Sequence, residues 1–63
     1  MKRIVLDLPP EQAHALAQFV KRLGFDDCKR LGSRYDGGEE AERMWEGILA
    51  LQRALNEAGY APR

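Results

Sequence analysis

The first segment of the chain alternates apolar and polar residues with a period of two, with Val5 as the one exception. Within residues 2–8 the even positions Ile4, Leu6 and Leu8 are apolar. Successive side chains of an extended backbone point to opposite faces, so this alternation predicts a half-buried β-strand over residues 2–8. A strand requires a hydrogen-bonding partner, and no other segment shows this pattern. We therefore expect the strand to pair with its copy in a second chain, across a two-fold axis.

Two later segments place apolar residues at steps of three and four, which is the spacing of amphipathic helices. The first follows two prolines, which end a strand and start a helix, and it predicts a helix over residues 10–23. The second predicts a helix over residues 39–58. Residues 25–37 form a connector with one short helical turn that ends at a glycine, and residues 60–63 form a tail.

These elements make a single domain that is mainly α with one N-terminal strand. The predicted fold is a β-α-α chain with a short middle helical turn, assembled as a strand-paired homodimer. A chain of 63 residues buries only about 60% of the surface that its unfolded form exposes. Such a small domain gains much of its stability from a second copy.

The last predicted helix contains a glycine close to the single tryptophan. A glycine inside a helix costs roughly 1 kcal/mol relative to alanine, so a contact is expected to offset that cost at Gly47. Two interpretations stay open, namely a helix backbone that crosses at Gly47 and a partner side chain that packs beside Trp45. Together with the apolar side of the strand, this predicts a dimer interface made of Ile4, Leu6, Leu8, Trp45 and Ile48.

Residues that carry chemistry do not combine into a known motif. His14 and Cys28 offer two zinc ligands, but the CxxC or HxxxH spacing of a zinc site is missing. A nucleophilic Cys28 would need a neighbouring base, and nothing along the chain supplies one. The glycines match neither a phosphate loop nor a dinucleotide fingerprint. We therefore expect no enzyme, no cofactor and no metal site.

The apolar runs of the chain are short. None approaches the roughly 20 residues of a membrane span, and none near the amino terminus has the length of a signal peptide. The single Cys28 has no partner for an internal disulfide. These features favour a cytoplasmic protein that does not enter a membrane.

The segment "RIVLDLPPEQAHALAQF" resembles the beginning of the ribbon-helix-helix repressors, whose paired strands enter the major groove of DNA. The resemblance implies that Arg3, Val5 and Asp7 lie on the base-reading face. Candidate nucleic-acid contacts are then the basic side chains Arg3, Lys21, Arg22, Lys29, Arg30 and Arg34. An acidic Asp7 on that face and a long connector between the helices both disfavour this reading.

Charge also weighs on the DNA hypothesis. Residues 1–35 carry seven basic and four acidic side chains, residues 36–63 carry three and six, and the net charge is zero. This split indicates either an even surface mosaic or a basic patch in the first half. A domain with no net positive charge lacks the usual electrostatic footprint of a DNA-binding protein.

The segments "ALAQFVKRLGF" and "RALNEAGYAPR" resemble a family of small uncharacterised bacterial proteins, a domain of unknown function. The resemblance implies no activity, cofactor or site. We therefore expect a small non-enzymatic homodimeric interaction or structural module, which binds itself and an unidentified protein. A ribbon-helix-helix-like DNA-binding regulator is the alternative.

Overall fold

The computed structural model describes residues 1–60, which form three α-helices. Helix α1 is Pro10–Arg22, α2 is Phe25–Leu31 and α3 is Glu39–Glu57. Residues 1–9 precede α1 without regular secondary structure. Of the predicted tail over residues 60–63, residues 61–63 lie outside the described part of the chain.

The predicted β-strand over residues 2–8 is wrong, because residues 1–60 contain no strand. The β-α-α fold class and the strand-paired homodimer depended on it and are wrong as well. A strand exists only within a ladder of hydrogen bonds to a second strand, whereas a helix satisfies its own backbone. Alternation of side chains could therefore predict two faces for this segment, but it could not supply the partner that makes a strand.

Each helix begins where local chemistry satisfies its first backbone N–H groups. The Pro9 carbonyl accepts hydrogen bonds of 3.0 Å from the N–H groups of Gln12 and Ala13, which closes the first turn of α1. Before α3, one carboxylate oxygen of Asp36 accepts from the Gly38 N–H at 2.9 Å and the other accepts from the Glu40 N–H at 3.0 Å. The Asp36 side chain therefore caps α3 from three residues before its start.

A carboxylate in the first turn of α2 accepts a hydrogen bond from the residue before the helix. Asp27 accepts a 2.8 Å hydrogen bond from the Gly24 N–H and a 3.2 Å hydrogen bond from the Arg30 guanidinium. The Gly24 N–H, followed by the Arg30 side chain, holds the pKa of the Asp27 carboxyl below its ordinary value, although partial burial opposes the shift. The start of α2 is thus fixed by contacts within the helix and its cap.

Helix α3 is central, because α1 and α2 both pack against it. Helix α1 crosses its C-terminal half, where Ala17 and Val20 form the core with Leu55. The Gln52 side-chain amide donates a 3.2 Å hydrogen bond to the Val20 carbonyl near the end of α1. This bond ties α1 to α3 at a carbonyl that the helix end leaves available.

Helix α2 packs closely on the N-terminal half of α3. A Cβ atom added to Gly32 would lie 2.9 Å from the Cys28 carbonyl oxygen and 3.2 Å from the Ala41 backbone nitrogen. Only glycine fits where the end of α2 meets the start of α3. The Phe25 and Trp45 rings meet edge to face, with centroids 6.2 Å apart. Helices α1 and α2 therefore contact successive parts of α3.

Candidate functional site

The core of the described chain is small. Its buried apolar side chains are Ala13, Ala17, Val20, Cys28, Ala41 and Leu55. Several larger apolar side chains are more than half exposed, namely Ile4, Val5, Leu6, Phe19 and Leu31. Scattered apolar residues on a surface are ordinary, so the question is which of these side chains lie together.

The total surface of the chain is also large for its mass. A folded monomer of 7.2 kDa is expected to expose about 4,100 Å², whereas this chain exposes 5441 Å². Its radius of gyration is 12.9 Å, against about 10.6 Å for a compact domain of this length. The single chain therefore leaves about 1,300 Å² more surface in water than a typical monomer does.

Two apolar clefts run along α3. The first has a volume of about 420 Å³ and lies between Ile4 and Leu6 on one wall and Ala54 and Ala58 on the other. The second has a volume of about 350 Å³ and is walled by apolar side chains of all three helices, including Phe19 from α1 and Leu31 from α2. Leu51 lines both clefts, so the two are neighbours along α3.

Both clefts are lined by one face of α3, called here the α3 face. It consists of Met44, Gly47, Leu51, Ala54 and Ala58. The steps between these positions are three, four, three and four residues, the heptad spacing of a helix that packs against another helix. Leu51 is half-buried and the other members are exposed. A Cβ atom added to Gly47 would meet no atom of residues 1–60 within 4 Å.

The predicted dimer residues fall in different places. Ile4, Leu6 and Leu8 line the first cleft together, as their alternation indicated. Ile48 lines the second cleft and also packs against the core. Trp45 is half-buried against Phe25 of its own chain. The role of these residues in a dimer stays a prediction.

The positions that sequence reasoning did not assign to a site are the small residues Gly47, Ala54 and Ala58 as parts of one surface, with Phe19 and Leu31 at its edge. A signal was present in the breadth of the apolar arc on α3. Apolar residues occupy more of its circumference than one packed stripe requires, which indicates a second contact face.

The six basic residues proposed for nucleic-acid contact are all exposed and lie on four separate segments. Arg3 precedes α1 in a segment that is not a strand. Lys21 and Arg22 lie in the last turn of α1, and Lys29 and Arg30 lie in the last turn of α2. Arg34 lies in the loop that follows. Lys29 sits 5.8 Å from the centre of the Phe25 ring, and Arg30 is paired with Asp27. The strand on which the ribbon-helix-helix reading depended is absent from residues 1–60.

The groups with intrinsic reactivity lie at different parts of the fold. Cys28, a residue of α2, is 3% exposed. The His14 ring on α1 packs edge to face on Tyr60, with centroids 4.9 Å apart. Within residues 1–60 no three His, Cys, Asp or Glu side chains cluster in a way that could hold a metal ion. In the same part of the chain, no helix has the length and apolar character needed to cross a bilayer.

A family model, described as a family of unknown function (DUF7706), matches residues 1–63, so the chain belongs to that family. The expected membership of a family of unknown function is thereby confirmed. No curated protein and no solved structure is significantly similar to the chain.

Proposed function

We propose that this member of DUF7706 is a small non-enzymatic interaction module that works as a homodimer. The observation that supports this proposal is the apolar surface along α3, which lines two clefts and is only partly covered by the other helices. Water contact with such a surface is unfavourable by about 25 cal/mol for each Å² of apolar area. A second copy is the partner that is always present at the same concentration as the first.

The total surface of the chain leaves room for an interface. A stable interface of standard size removes about 800 Å² from each partner. The surface of this chain exceeds that of a compact monomer by about 1,300 Å². One interface of standard size is therefore smaller than this excess, to which the exposed residues 1–9 also contribute.

Two observations support a role in binding rather than in catalysis. The thiol of Cys28 is buried, and reactive thiols are partly exposed in positively charged surroundings. His14 packs on Tyr60 beyond the end of α3, whereas Cys28 lies near its start, so a base and a nucleophile do not meet. We also propose a cytoplasmic location, because the single cysteine is free, and an additional protein partner for the assembled dimer.

Light scattering behind a sizing column, over a hundredfold range of protein concentration, tests the proposal. We expect a mass of twice 7.2 kDa that falls towards the single-chain mass on dilution. Ala54→Glu should shift this transition at least tenfold towards the monomer, because a charge on the α3 face would be buried without a partner. Arg53→Glu, at the next position but outside the α3 face, is the control. A single-chain mass throughout the range would contradict the proposal.

A further inference from the structure

The α3 face alternates large and small side chains along its length. Met44 and Leu51 are large, whereas Gly47 and Ala54 between and after them are small. In a heptad description, the two large residues share one seam position with Ala58, which follows the helix, and Gly47 and Ala54 hold the other. This division is not a requirement of the single chain, since no atom of residues 1–60 approaches the space above Gly47.

Two parallel copies of such a face would fit poorly. In a parallel pair of helices related by a two-fold axis, each residue meets its own equivalent. Met44 would meet Met44 and Leu51 would meet Leu51, while Gly47 would face Gly47 across an empty space. Interiors pack to the density of organic crystals, and a void beside a small residue loses the contacts that its walls would otherwise make.

Two antiparallel copies would fit well. With one helix reversed, residues at one seam position of the first copy meet residues at the other seam position of the second copy. Leu51 of one copy then lies over Gly47 of the second, and Met44 lies over Ala54. Each of these layers combines one large and one small side chain, so the helices can approach to the usual 8–10 Å there. Ile4 and Leu6, on the opposite wall of the first cleft, would flank the incoming helix.

The charges beside the α3 face favour the same arrangement. Arg43, Ala50 and Glu57 recur every seven residues on one flank of the face. The opposite flank holds Ile48 and Leu55, which pack in the core of their own chain. Like flanks meet in an antiparallel pair, so Arg43 of each copy would face Glu57 of the other. In a parallel pair Arg43 would instead face Ile48, which is apolar.

From this geometry we infer that α3 of a second copy lies antiparallel along the α3 face and fills both clefts, with Leu51 over Gly47 and two Arg43–Glu57 ion pairs between the copies. This arrangement rests on the proposed homodimer and specifies its interface and orientation. Arg43 is available for the contact, because its side chain is 72% exposed and its present partner, Glu46, is an exposed neighbour on the same helix. Oppositely charged flanking residues set helix orientation more than they set affinity.

A charge-reversal cycle tests the orientation, with dissociation constants from light scattering or sedimentation. We expect Arg43→Glu and Glu57→Arg each to weaken the dimer by about three- to tenfold, because like charges then meet twice. The double variant should return to within about twofold of the wild-type value, since each reversed charge regains a partner. Arg53→Glu, an equal change outside the α3 face, should leave the dissociation constant unchanged.

A second variant tests the packing separately from the charges. Gly47→Gln adds a side chain that the single chain has room for, so the isolated monomer should keep its helical circular dichroism. The added side chain would occupy the space assigned to Leu51 of the second copy, so we expect at least a tenfold weaker dimer. A wild-type dimer that shows neither rescue nor sensitivity at Gly47 overturns the antiparallel arrangement and leaves the homodimer intact. A wild-type monomer overturns both.

Discussion

Helix α3 has two sides that differ in what its own chain provides. One side is covered by α1 and α2, and it holds the buried Ala41 and Leu55. The neighbouring side, the α3 face, is also apolar and lines two clefts, although its Leu51 packs against the core. An apolar residue on a helix therefore predicts a packing contact, but it does not show whether that contact lies within the chain or with another chain. The covered side explains the fold, and the uncovered side carries the proposed function.

The largest expected effect comes from the same substitution made inside and outside the core. Leu55→Ala removes a side chain that is 8% exposed, and it should lower the free energy of unfolding by about 2–5 kcal/mol because a cavity remains. Leu49→Ala, on the same helix but 42% exposed, should change it by about 0.5 kcal/mol or less. Urea unfolding followed by circular dichroism measures both. Equal losses would mean that the two sides of α3 are not distinct.

Smaller changes in stability, opposite in sign to each other, are expected from replacing two glycines by alanine. Gly32→Ala should destabilise the protein by about 1–3 kcal/mol, because the new methyl group would press on the backbone of Cys28 and Ala41. Gly47→Ala should stabilise the single chain by roughly 1 kcal/mol, since alanine favours a helix and the space is open.

Unfolding at two protein concentrations sharpens this second test. Gly32→Ala should lose the same amount at both, because its contacts lie within one chain. The gain from Gly47→Ala should shrink at the higher concentration, at which the second copy is expected to approach Gly47. If both glycines tolerate alanine equally well, α2 does not approach α3 closely enough at Gly32 to exclude a methyl group.

The smallest expected effect concerns the start of α2, which covers the N-terminal half of α3. Asp27 has a lowered pKa in the folded chain, so its contribution to stability is present above the unfolded pKa and is lost as the pH falls through the folded pKa. NMR titration of its carboxyl carbon should show the lowered pKa directly. In Arg30→Gln the pKa should rise only in part, because the Gly24 N–H still donates to the carboxylate. A complete return to the ordinary value would assign the whole shift to Arg30.

The helices could be predicted because their signals are local. Two prolines placed the start of the first helix within a residue of Pro10, and apolar spacing indicated the long helix that is now Glu39–Glu57. The strand over residues 2–8 could not be decided in this way. Its pairing is a contact between distant segments or separate chains, and the alternation of Ile4, Leu6 and Leu8 reports only that they share a side.

The candidate site was only partly visible in the sequence. The interior Gly47 indicated a close approach, and the structure shows that no part of residues 1–60 makes one. The tryptophan beside it indicated an interface, yet Trp45 packs on Phe25 of its own chain. Neither fact follows from spacing, since residues on neighbouring faces of one helix look alike until the other helices are in place.

By itself, the sequence determined where α1 and α3 form and that the chain belongs to a family of unknown function. Those properties depend on neighbouring residues and on composition. Only the tertiary structure decided that Gly32 is crowded while Gly47 is open, and that the α3 face remains uncovered. The reason is that burial is a property of the folded arrangement, in which α1 and α2 pack on one side of α3 and leave the neighbouring face largely exposed.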